Sequence, residues 1–505
     1  MRLSELLTEV PGSAVSGGAD PEVTTAVYDS RSAGSGAIFV AVPGLKADGH
    51  DYLRQAVSQG AAAVAVQADR ETKWRELLSQ TGTPSLIAPD TRAALAQIAA
   101  ALCGHPARRL RVIGVTGTDG KTSLAHLVDH VLRSGGEPTG LISTAECRIG
   151  ERSLADTGRF TTPEAPELQA MLREIADAGC RWAIIEATSH GLALHRLDEC
   201  QFDIGVVTCV GADHMDFHGT GEAYLAAKGR LFEMLGESVQ KGIEKTAILN
   251  ADDPSFAYFK SVSRVKTVRY GLSDGDISTV ALREEGWTSR FVVQSPGGER
   301  EITVPKPGQF NVYNALAATG VCLAAGLDMD GIAAGIASWS GAPGRMEFID
   351  EGQPFTVVVD FAHAPDALRR VLQLLRSRSH GRLIAVFGSI GERERDRRPA
   401  MGRVAAETAD FTIVTDDNPY TEDRETILRE IAAGLTAAGK REGHDFAIIP
   451  DRREAIAHAL GMAVDEDAVL LAGKGHEPDV HLADGAYACD DREVARRVLR
   501  EALRA

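Results

Sequence analysis

Short runs of apolar residues recur along the chain and alternate with stretches that have helical periodicity. Between residues 110 and 250 such runs stand at 182–187 (WAIIEA), 203–210 (DIGVVTCV) and 246–250 (TAILN). Runs of this length are typical of buried strands, and their alternation with helical stretches indicates a parallel sheet flanked by helices. The pattern therefore predicts an α/β fold.

The same alternation resumes towards the C terminus. Apolar runs stand at 355–363 (FTVVVDFAH), 383–389 (LIAVFGS), 411–419 (FTIVTDDNP) and 468–477 (AVLLAGKGHE). Each run ends in a polar or glycine-rich tail. Because ligands of open parallel sheets bind outside the carboxyl ends of the strands, these tails are the expected places for chemistry.

Two breaks divide the chain into three predicted domains. The first hundred residues hold short β-like runs at 37–44 and 61–67 and close near 103–109 (CGHPARR), and glycine and proline cluster at 340–347. At roughly 100–200 residues per domain, a chain of 505 residues is expected to form about three. We predict an N-terminal domain at 1–107, a central domain at 108–341 with a parallel sheet of the P-loop type, and a C-terminal Rossmann-like α/β domain at 342–505.

Composition narrows the class of protein. Lys and Arg number 54 against 71 Asp and Glu, and the net charge of −17 has the wrong sign for a protein that coats nucleic acid. The seven cysteines are scattered without a C-x-x-C pair, which argues against a zinc knuckle or a disulfide framework. Neither a signal peptide nor a membrane span is recognisable. We expect a soluble cytoplasmic protein.

The stretch VIGVTGTDGKTSLAHLV (112–128) runs from an apolar segment through a glycine-rich turn into a helical segment. In that setting, backbone N–H groups and a helix N-terminus bind phosphate. Lys121 would meet the terminal phosphates, and the Thr122 hydroxyl would meet Mg²⁺. The common phosphate-loop pattern needs glycine where Val115 stands, so a helix entry with an exposed lysine is the alternative. The candidate loop is Gly117, Thr118, Asp119, Gly120, Lys121, Thr122 and Ser123.

This shortened loop resembles that of the Mur ligases and of folylpolyglutamate synthetases. Further stretches resemble one Mur branch, the ligase that adds the third amino acid of the peptidoglycan stem (MurE), and they run in the order of that family across all three predicted domains. They are DSR (29–31), DGHDY (48–52), TTPEAPELQ (161–169), EATSHGLALHR (186–196), DHMDFHGTGEAYLAAKGRLF (213–232), GQFNVYNALAA (308–318), DFAHAPDAL (360–368), GERERDRRPAMG (391–402), DNPYTED (417–423) and AGKGHE (472–477).

The resemblance implies an ATP-dependent acid–amino-acid ligase that joins a free diamino acid to UDP-N-acetylmuramoyl-L-Ala-D-Glu in peptidoglycan synthesis. Amide formation is uphill in water, so such a ligase first moves the γ-phosphoryl group of ATP onto the carboxylate, and the amine then attacks the acyl phosphate. The three domains would bind the UDP-sugar, ATP and the amino acid, in that order. A monomer is the favoured state.

The resemblance also implies a catalytic set of Lys121, Glu186, His214 and Lys228. Glu186 would join Thr122 around one Mg²⁺, and His214 would serve a second together with Lys228, which the family carbamylates. Two cations would neutralise the phosphate oxygens during transfer. Without the family, Lys228 reads as a solvated helix lysine and Glu186 as a surface residue at a strand end.

The remaining nucleotide contacts implied by the family are Asn311, Asn314, Arg345, Asp360 and His363. Helix capping or a structural histidine are the alternatives. The family usually reads D-Y-A-H-T-P around the last two, so Phe361 and Ala364 are departures that lose hydroxyl groups.

The UDP-sugar dipeptide would meet hydroxyl residues and one arginine. Arg196 suits an anionic oxygen because it offers paired N–H donors. Thr188 replaces the usual serine, Leu194 stands where glutamine is common, and each hydroxyl residue is open to a turn or cap role. The set is Ser30, Thr161, Thr162, Thr188, Ser189 and Arg196.

The incoming amino acid would meet Arg393, Asp417, Asn418, Tyr420, Gly473 and Glu477. The diaminopimelate branch carries arginine where Tyr420 stands, and a phenol cannot replace the charge and fork of a guanidinium. Lysine or ornithine is therefore favoured, while diaminopimelate stays open. The run ERERDRRP around Arg393 is alternatively a solvated helix face.

Two other functions stay open. One is a folylpolyglutamate-synthetase-like or other Mur-type amide ligase, which the DSR, DGH and GKGHE stretches disfavour. The other is a catalytically altered nucleotide-binding paralogue. The departures from the family pattern that favour this alternative are Asp119, Leu194 and Tyr420.

Overall fold

The computed structural model describes residues 1–44, 47–154, 161–211, 213–392 and 395–504. The chain forms two compact units. The first is Met1–Arg283 with Arg290–Val304 and Phe310–Trp339, and the second is Glu284–Ser289 with Pro305–Gln309 and Ser340–Ala505. The domain boundaries predicted at 107/108 and 341/342 stay predictions.

The N-terminal part of the first unit is a five-stranded sheet in the order β1-β5-β4-β3-β2, with β1 antiparallel to β5 and the others parallel. Strand β3, between β4 and β2, is buried along its whole length, as its apolar sequence predicts. The strands are β1 (Ala14–Ser16), β2 (Thr25–Val27), β3 (Ala37–Val40), β4 (Ala63–Gln67) and β5 (Ser85–Ala88), and the helices are α1 (Leu53–Ser58), α2 (Glu71–Thr81) and α3 (Thr91–Leu102).

The central part is an eight-stranded sheet in the order β13-β12-β11-β6-β10-β7-β8-β9, parallel except for β8 and β9. Its strands are β6 (Arg111–Thr116), β7 (Thr139–Ile142), β8 (Cys147–Ile149), β9 (Arg152–Leu154), β10 (Trp182–Glu186), β11 (Ile204–Val207), β12 (Thr246–Asn250) and β13 (Lys266–Tyr270). The helices between them are α4 (Lys121–Ser134), α5 (Ala165–Asp177), α6 (Ser189–Ala193), α7 (Met215–His218), α8 (Gly221–Glu237) and α9 (Phe256–Val262).

Strand β6 lies between β10 and β11, and this order builds the site. Glu186 at the end of β10 pairs with Val115, and Val207 at the end of β11 pairs with Thr116. The carboxyl ends of the three strands therefore meet, and whatever follows β10 and β11 flanks the loop that follows β6. Helices cover both faces of these strands, which explains their unbroken apolar sequences.

A three-stranded sheet and two helices follow. The strands are β14 (Ser278–Glu285), β15 (Thr288–Ser295) and β16 (Gly298–Val304), and the helices are α10 (Gln309–Ala325) and α11 (Met329–Ala337). Asn311 and Asn314 are buried on α10, three residues apart and thus on one face.

The C-terminal part is a six-stranded sheet in the order β17-β18-β22-β19-β20-β21, parallel except for β17, and a separate hairpin of β23 and β24. The strands are β17 (Glu347–Phe348), β18 (Thr356–Asp360), β19 (Leu383–Phe387), β20 (Phe411–Val414), β21 (Phe446–Ile448), β22 (Ala468–Ala472), β23 (Asp479–Leu482) and β24 (Gly485–Ala488). The helices are α12 (Pro365–Arg376), α13 (Arg397–Thr408), α14 (Arg424–Ala437), α15 (Arg452–Met462) and α16 (Asp491–Ala502).

The predicted α/β class is confirmed, and each apolar run quoted above contains a strand of the structure. Across the described residues we find no helix with the length and apolar character needed to span a membrane.

Candidate active site at the carboxyl ends of the central strands

The loop that leaves β6 has a backbone that glycine alone tolerates. Gly117 has a φ of +139°, and a Cβ at that position would lie 1.9 Å from the Thr208 hydroxyl oxygen. Gly120 also has a positive φ, of +83°, immediately before α4 begins at Lys121. The pattern of glycines in the sequence therefore reflects a close approach of backbone to side chain and a left-handed turn.

Hydrogen bonds fasten this loop to the segment after β11. The Thr118 N–H donates to the Cys209 carbonyl at 2.7 Å, and the Thr208 hydroxyl donates to the Asp119 carbonyl at 2.5 Å. In return, the Gly211 N–H donates to the Thr118 hydroxyl at 2.9 Å. The loop is thus held from outside, at the N-terminus of a long helix, in the arrangement that suits phosphate binding.

Two lysines point at the same loop carbonyl. The Lys121 amino group donates to the carbonyls of Gly117 at 3.1 Å and Thr118 at 2.8 Å. The Lys228 amino group, from α8, donates to the Gly117 carbonyl at 2.6 Å. Lys121 thus contacts the loop from within, and Lys228 contacts it from helix α8.

Lys228 is not the solvated lysine that its helical context suggests, because its side chain is only 1% exposed. Burial, and then the charge of Lys121, hold the pKa of the Lys228 amine well below its usual value. The amine lies 4.4 Å from the centre of the Tyr224 ring. A neutral amine is the nucleophilic form of a lysine side chain.

Glu186 is fully buried at the end of β10, and its carboxylate faces the start of α4. It accepts a hydrogen bond from the Thr122 hydroxyl at 3.1 Å, and from the Thr144 N–H and hydroxyl at 3.0 Å and 3.2 Å. A carboxylate and a hydroxyl beside a phosphate loop are hard oxygen donors, and they fit Mg²⁺. Within the described ranges, no group of three or more His, Cys, Asp or Glu side chains is arranged to hold a metal ion, so any such site must draw on other ligands.

His214 lies in a group of aromatic rings beside these lysines. Its ring centre is 4.7 Å from that of His190, which stacks on Phe217 at 4.1 Å. Burial lowers the pKa of His214, the neighbouring Asp213 carboxylate opposes that shift, and the charges of Lys121 and Lys228 lower the pKa further. Burial, followed by His214 and His218, lowers the pKa of His190 to about 4. Neutral imidazole is the form that binds metal.

The predicted nucleotide residues fall in both units. In the first, the Asn314 side-chain oxygen lies 3.1 Å from the position of a Cβ at Gly120, so α10 borders the phosphate loop. In the second, the Arg345 guanidinium lies 4.3 Å from the centre of the Phe361 ring. Asp360 accepts the N–H groups of Met346 and Ala362, both at 2.8 Å, and His363 donates from Nδ1 to the Phe361 carbonyl at 2.9 Å.

Most residues predicted to bind the UDP-sugar dipeptide cluster next to Glu186. The Thr162 hydroxyl donates to the Glu186 carbonyl at 2.8 Å and lies 2.9 Å from the Thr188 hydroxyl. Arg196 donates to the Thr162 carbonyl at 3.0 Å and pairs with Glu164 at 2.6 Å. Thr161 accepts a hydrogen bond from Thr144 at 2.9 Å, and through Thr144 this cluster touches the carboxylate of Glu186.

Two members of that set differ from the rest. The Ser189 hydroxyl is buried and makes no hydrogen bond to any described residue. Ser30 begins a short 3-10 helix after β2 in the N-terminal part, where its hydroxyl donates to the Gln55 side chain at 2.9 Å.

The residues predicted for the amino acid form a polar cluster between two loops. The Asn418 amide donates to Glu477 at 2.8 Å, and its oxygen accepts from Lys474 at 3.2 Å. Lys474, which is fully buried, also pairs with Glu477 at 2.8 Å. Burial alone would raise the pKa of Glu477, but the Lys474 ammonium outweighs it and lowers that pKa.

Asp417 and Tyr420 complete this cluster. An Asp417 oxygen lies 3.0 Å from the position of a Cβ at Gly473, whose φ is +105°. Burial raises the pKa of Asp417, and among the described residues its carboxylate has no hydrogen-bond donor. Tyr420 has a φ of +54°, and its ring stacks on His481 with 5.7 Å between centres. Arg393 lies outside the described residues.

Sequence reasoning missed three supporting residues. Lys474 is the second residue of the GKGHE stretch, and its complete burial is visible only in the fold. Thr144 follows β7 and contacts Glu186, while Thr208 follows β11 and holds the phosphate loop. A signal existed for Thr208, because it follows directly on a strand within the apolar run at 203–210, and ligands bind at the carboxyl ends of parallel strands.

Three described families match consecutive parts of the chain. The Mur ligase family catalytic domain matches residues 22–102, the Mur ligase middle domain matches residues 115–322, and the Mur ligase glutamate ligase domain matches residues 344–475.

Individual relatives match along the full length. A UDP-N-acetylmuramyl-tripeptide synthetase of Roseiflexus sp. is 44% identical, with 99% of each chain covered. A UDP-N-acetylmuramoyl-L-alanyl-D-glutamate–2,6-diaminopimelate ligase of Geobacillus thermodenitrificans is 39% identical, over 99% of this chain and 100% of its own. A solved structure of a ligase with that same name superposes with a TM-score of 0.65, at 31% identity and 95% coverage of each chain. The chain therefore belongs to the Mur ligase family, whose members are ATP-dependent amide ligases.

Proposed function

We propose that this ligase joins a free diamino acid to the terminal carboxylate of UDP-N-acetylmuramoyl-L-Ala-D-Glu. The γ-phosphoryl group of ATP is transferred to that carboxylate, ADP leaves, and the amine displaces phosphate from the acyl phosphate. The observation that carries the proposal is the convergence of Lys121, Thr122, Glu186 and Lys228 on one phosphate loop.

Each residue has a role that its surroundings support. Lys121 neutralises charge on the transferred phosphoryl group, and the amides of residues 117–123 hold the neighbouring phosphates. Thr122 and Glu186 hold one Mg²⁺, and His214 and a carbamate on Lys228 hold a second. When bound, the ions neutralise the phosphate oxygens. The nucleotide is also bound by Asn311 and Asn314 and by Arg345, Asp360 and His363.

The carbamate on Lys228 answers a problem of charge. Burial and the charge of Lys121 hold the pKa of the Lys228 amine well below its usual value, and a free amine offers no negative charge to a site that must hold metal ions. Reaction of this neutral amine with CO₂, with loss of one proton, turns it into an anionic oxygen ligand. Without that step, Lys228 supplies no anionic oxygen to the second metal ion.

The UDP-sugar dipeptide is assigned to Ser30, Thr161, Thr162, Thr188, Ser189 and Arg196. Their cluster borders Glu186 through Thr162 and Thr144, so a carboxylate bound there lies near the phosphate loop. The buried Ser189 hydroxyl supports the assignment, because a buried hydroxyl that lacks a partner costs free energy unless a ligand supplies one.

The amino acid is assigned to Asp417, Asn418, Tyr420, Gly473 and Glu477, with Arg393. The carboxylates of Asp417 and Glu477 suit an amino acid that carries an extra ammonium group. The Tyr420 phenol offers no charge to a second carboxylate. Lysine or ornithine is therefore the favoured substrate over diaminopimelate.

A panel of amino acids tests this assignment. We expect ATP-dependent product with lysine or ornithine, and a shift towards diaminopimelate in Tyr420→Arg. Tyr420→Lys, which adds charge without the fork of a guanidinium, is the matched control and should shift less. Strict use of diaminopimelate by the unaltered enzyme contradicts the assignment.

Release of phosphate tests the function as a whole. Phosphate should appear only when ATP, the muramoyl dipeptide and the amino acid are present together. Release that depends on a folate and glutamate supports the folylpolyglutamate-synthetase-like alternative, and ATP binding without turnover supports the nucleotide-binding paralogue. The cytoplasmic location and the monomeric state stay predictions.

A further inference from the structure

The two loops of the amino-acid cluster lie on strands that are not neighbours. Residues 415–420 follow β20 and residues 473–477 follow β22, and β19 runs between these strands. At about 4.8 Å per strand, the loops start roughly 10 Å apart. Strand pairing therefore does not fix one loop directly against the other.

One buried arginine spans that gap. Arg452, the first residue of α15, is fully buried. Its Nη1 donates to the Asp416 carbonyl at 2.9 Å, and its Nη2 donates to the Ala472 carbonyl at 2.8 Å. Asp416 immediately precedes Asp417, and Ala472 immediately precedes Gly473, so one rigid guanidinium joins the bases of both loops.

A buried aspartate fixes the direction of this guanidinium. Asp491, the first residue of α16, is fully buried and accepts from Arg452 Nε at 2.7 Å and from Nη2 at 2.6 Å. These two contacts fix the plane of the Arg452 guanidinium group. The other N–H groups of Arg452 then point at the carbonyls of Asp416 and Ala472, and these contacts restrict the distance between the two loops.

We propose that Arg452 and Asp491 are positioning residues that set the distance between the Asp417–Tyr420 and Gly473–Glu477 loops for the incoming amino acid. The inference rests on the proposed function of those loops. Fold stability alone does not call for such a pair, since well-packed apolar side chains replace a buried ion pair at little or no cost. Asn418 also joins the two loops, because it contacts both Lys474 and Glu477.

Steady-state kinetics with saturation in each substrate test the proposal. In Asp491→Asn, we expect the KM for the amino acid to rise about tenfold or more, because small displacements of binding groups have large effects. The KM values for ATP and for the muramoyl dipeptide should stay within about twofold, because Arg452 touches neither of their proposed sites. Arg452→Lys keeps the charge opposite Asp491 but loses the fork, so it should raise the same KM with a smaller loss of Tm.

Asp467→Asn is the matched control. Asp467 is buried and forms an ion pair with Arg382 at 2.7 Å. It lies immediately before β22, at the amino ends of the strands, whereas the two amino-acid loops follow the carboxyl ends of β20 and β22. This variant should lose Tm and keep the KM for the amino acid. An equal change of that KM in Asp467→Asn and Asp491→Asn, or none in Asp491→Asn and Arg452→Lys, overturns the positioning role. If the unaltered enzyme makes no product with any amino acid, the proposed function itself has failed.

Discussion

Lys121 and Lys228 donate to the same acceptor, the carbonyl oxygen of Gly117, at 3.1 Å and 2.6 Å. Two ammonium groups at one carbonyl repel each other, and Lys228, being the more deeply buried, has its pKa depressed. We infer that Lys228 is available as a free amine, whereas Lys121 is placed within the loop to meet phosphate. The difference assigns the two lysines different chemistry.

Lys228 is predicted to carry a carbamate in active enzyme. In ¹³C-bicarbonate, the protein should show a carbamate NMR signal that Lys228→Met removes together with activity. Lys245 is the internal control, because it is also buried but pairs with the Asp203 carboxylate at 2.8 Å. Active enzyme in which Lys228 is an unmodified amine would falsify this prediction.

Replacement of Glu186 by glutamine should lower kcat by about 100-fold, because a charged oxygen is lost at the point of phosphoryl transfer. The Mg²⁺ concentration for half-maximal activity should rise. Asp203→Asn removes another fully buried carboxylate, one that pairs with Lys241 and Lys245. That control should lose about 3–5 kcal/mol of stability and keep its kcat within about twofold. Equal kcat losses in both variants would count against a metal-binding role.

Gly117→Ala should abolish tight nucleotide binding. The new Cβ would meet the Thr208 hydroxyl at 1.9 Å, on a backbone with a φ of +139°. Calorimetry with a non-hydrolysable ATP analogue should show a Kd at least about tenfold higher. This rise corresponds to a loss of about 1.4 kcal/mol in binding free energy.

Gly136→Ala separates this clash from simple backbone strain. Gly136 has a φ of +80° with nothing within 4 Å of the added Cβ, so it should cost about 1–2 kcal/mol of stability and leave the Kd unchanged. If both variants bind the analogue equally well, the loop does not need the close approach at Gly117.

Asp417→Asn is predicted to stabilise the protein at neutral pH while it weakens amino-acid binding. Burial raises the pKa of Asp417 above its ordinary value of 3.8, so the folded chain holds this proton to higher pH than the unfolded chain. The stability that the group contributes is therefore present below pH 3.8 and is lost as pH rises through the folded pKa. Asparagine cannot ionise and escapes that loss.

Thermal unfolding at two pH values checks this prediction. The Tm of Asp417→Asn should exceed that of the parent at pH 7.5 and approach it near pH 4. A variant that is less stable by the same margin at both pH values would show that the Asp417 carboxylate is well solvated or paired.

The sequence predicts those features that depend on local pattern. Apolar runs indicate the strands, and the glycines with Lys121 and Thr122 indicate the phosphate loop. Local pattern does not reveal that β10 and β11 flank β6, and this order is what brings Glu186 and Thr208 to the loop. Nor does it reveal which charged residues are buried, because Lys228, Lys474 and the Arg452–Asp491 pair gain their surroundings from distant parts of the chain.

Oxygen transfer from the dipeptide tests the central claim most directly. With ¹⁸O in the terminal carboxylate of the muramoyl dipeptide, one labelled oxygen should appear in the phosphate released at each turnover. The carboxylate oxygen that attacks the γ-phosphorus stays bonded to it, and its bond to carbon breaks when the amine displaces phosphate. Mass spectrometry of the phosphate gives the answer. Product formation with unlabelled phosphate would contradict activation of the carboxylate by ATP.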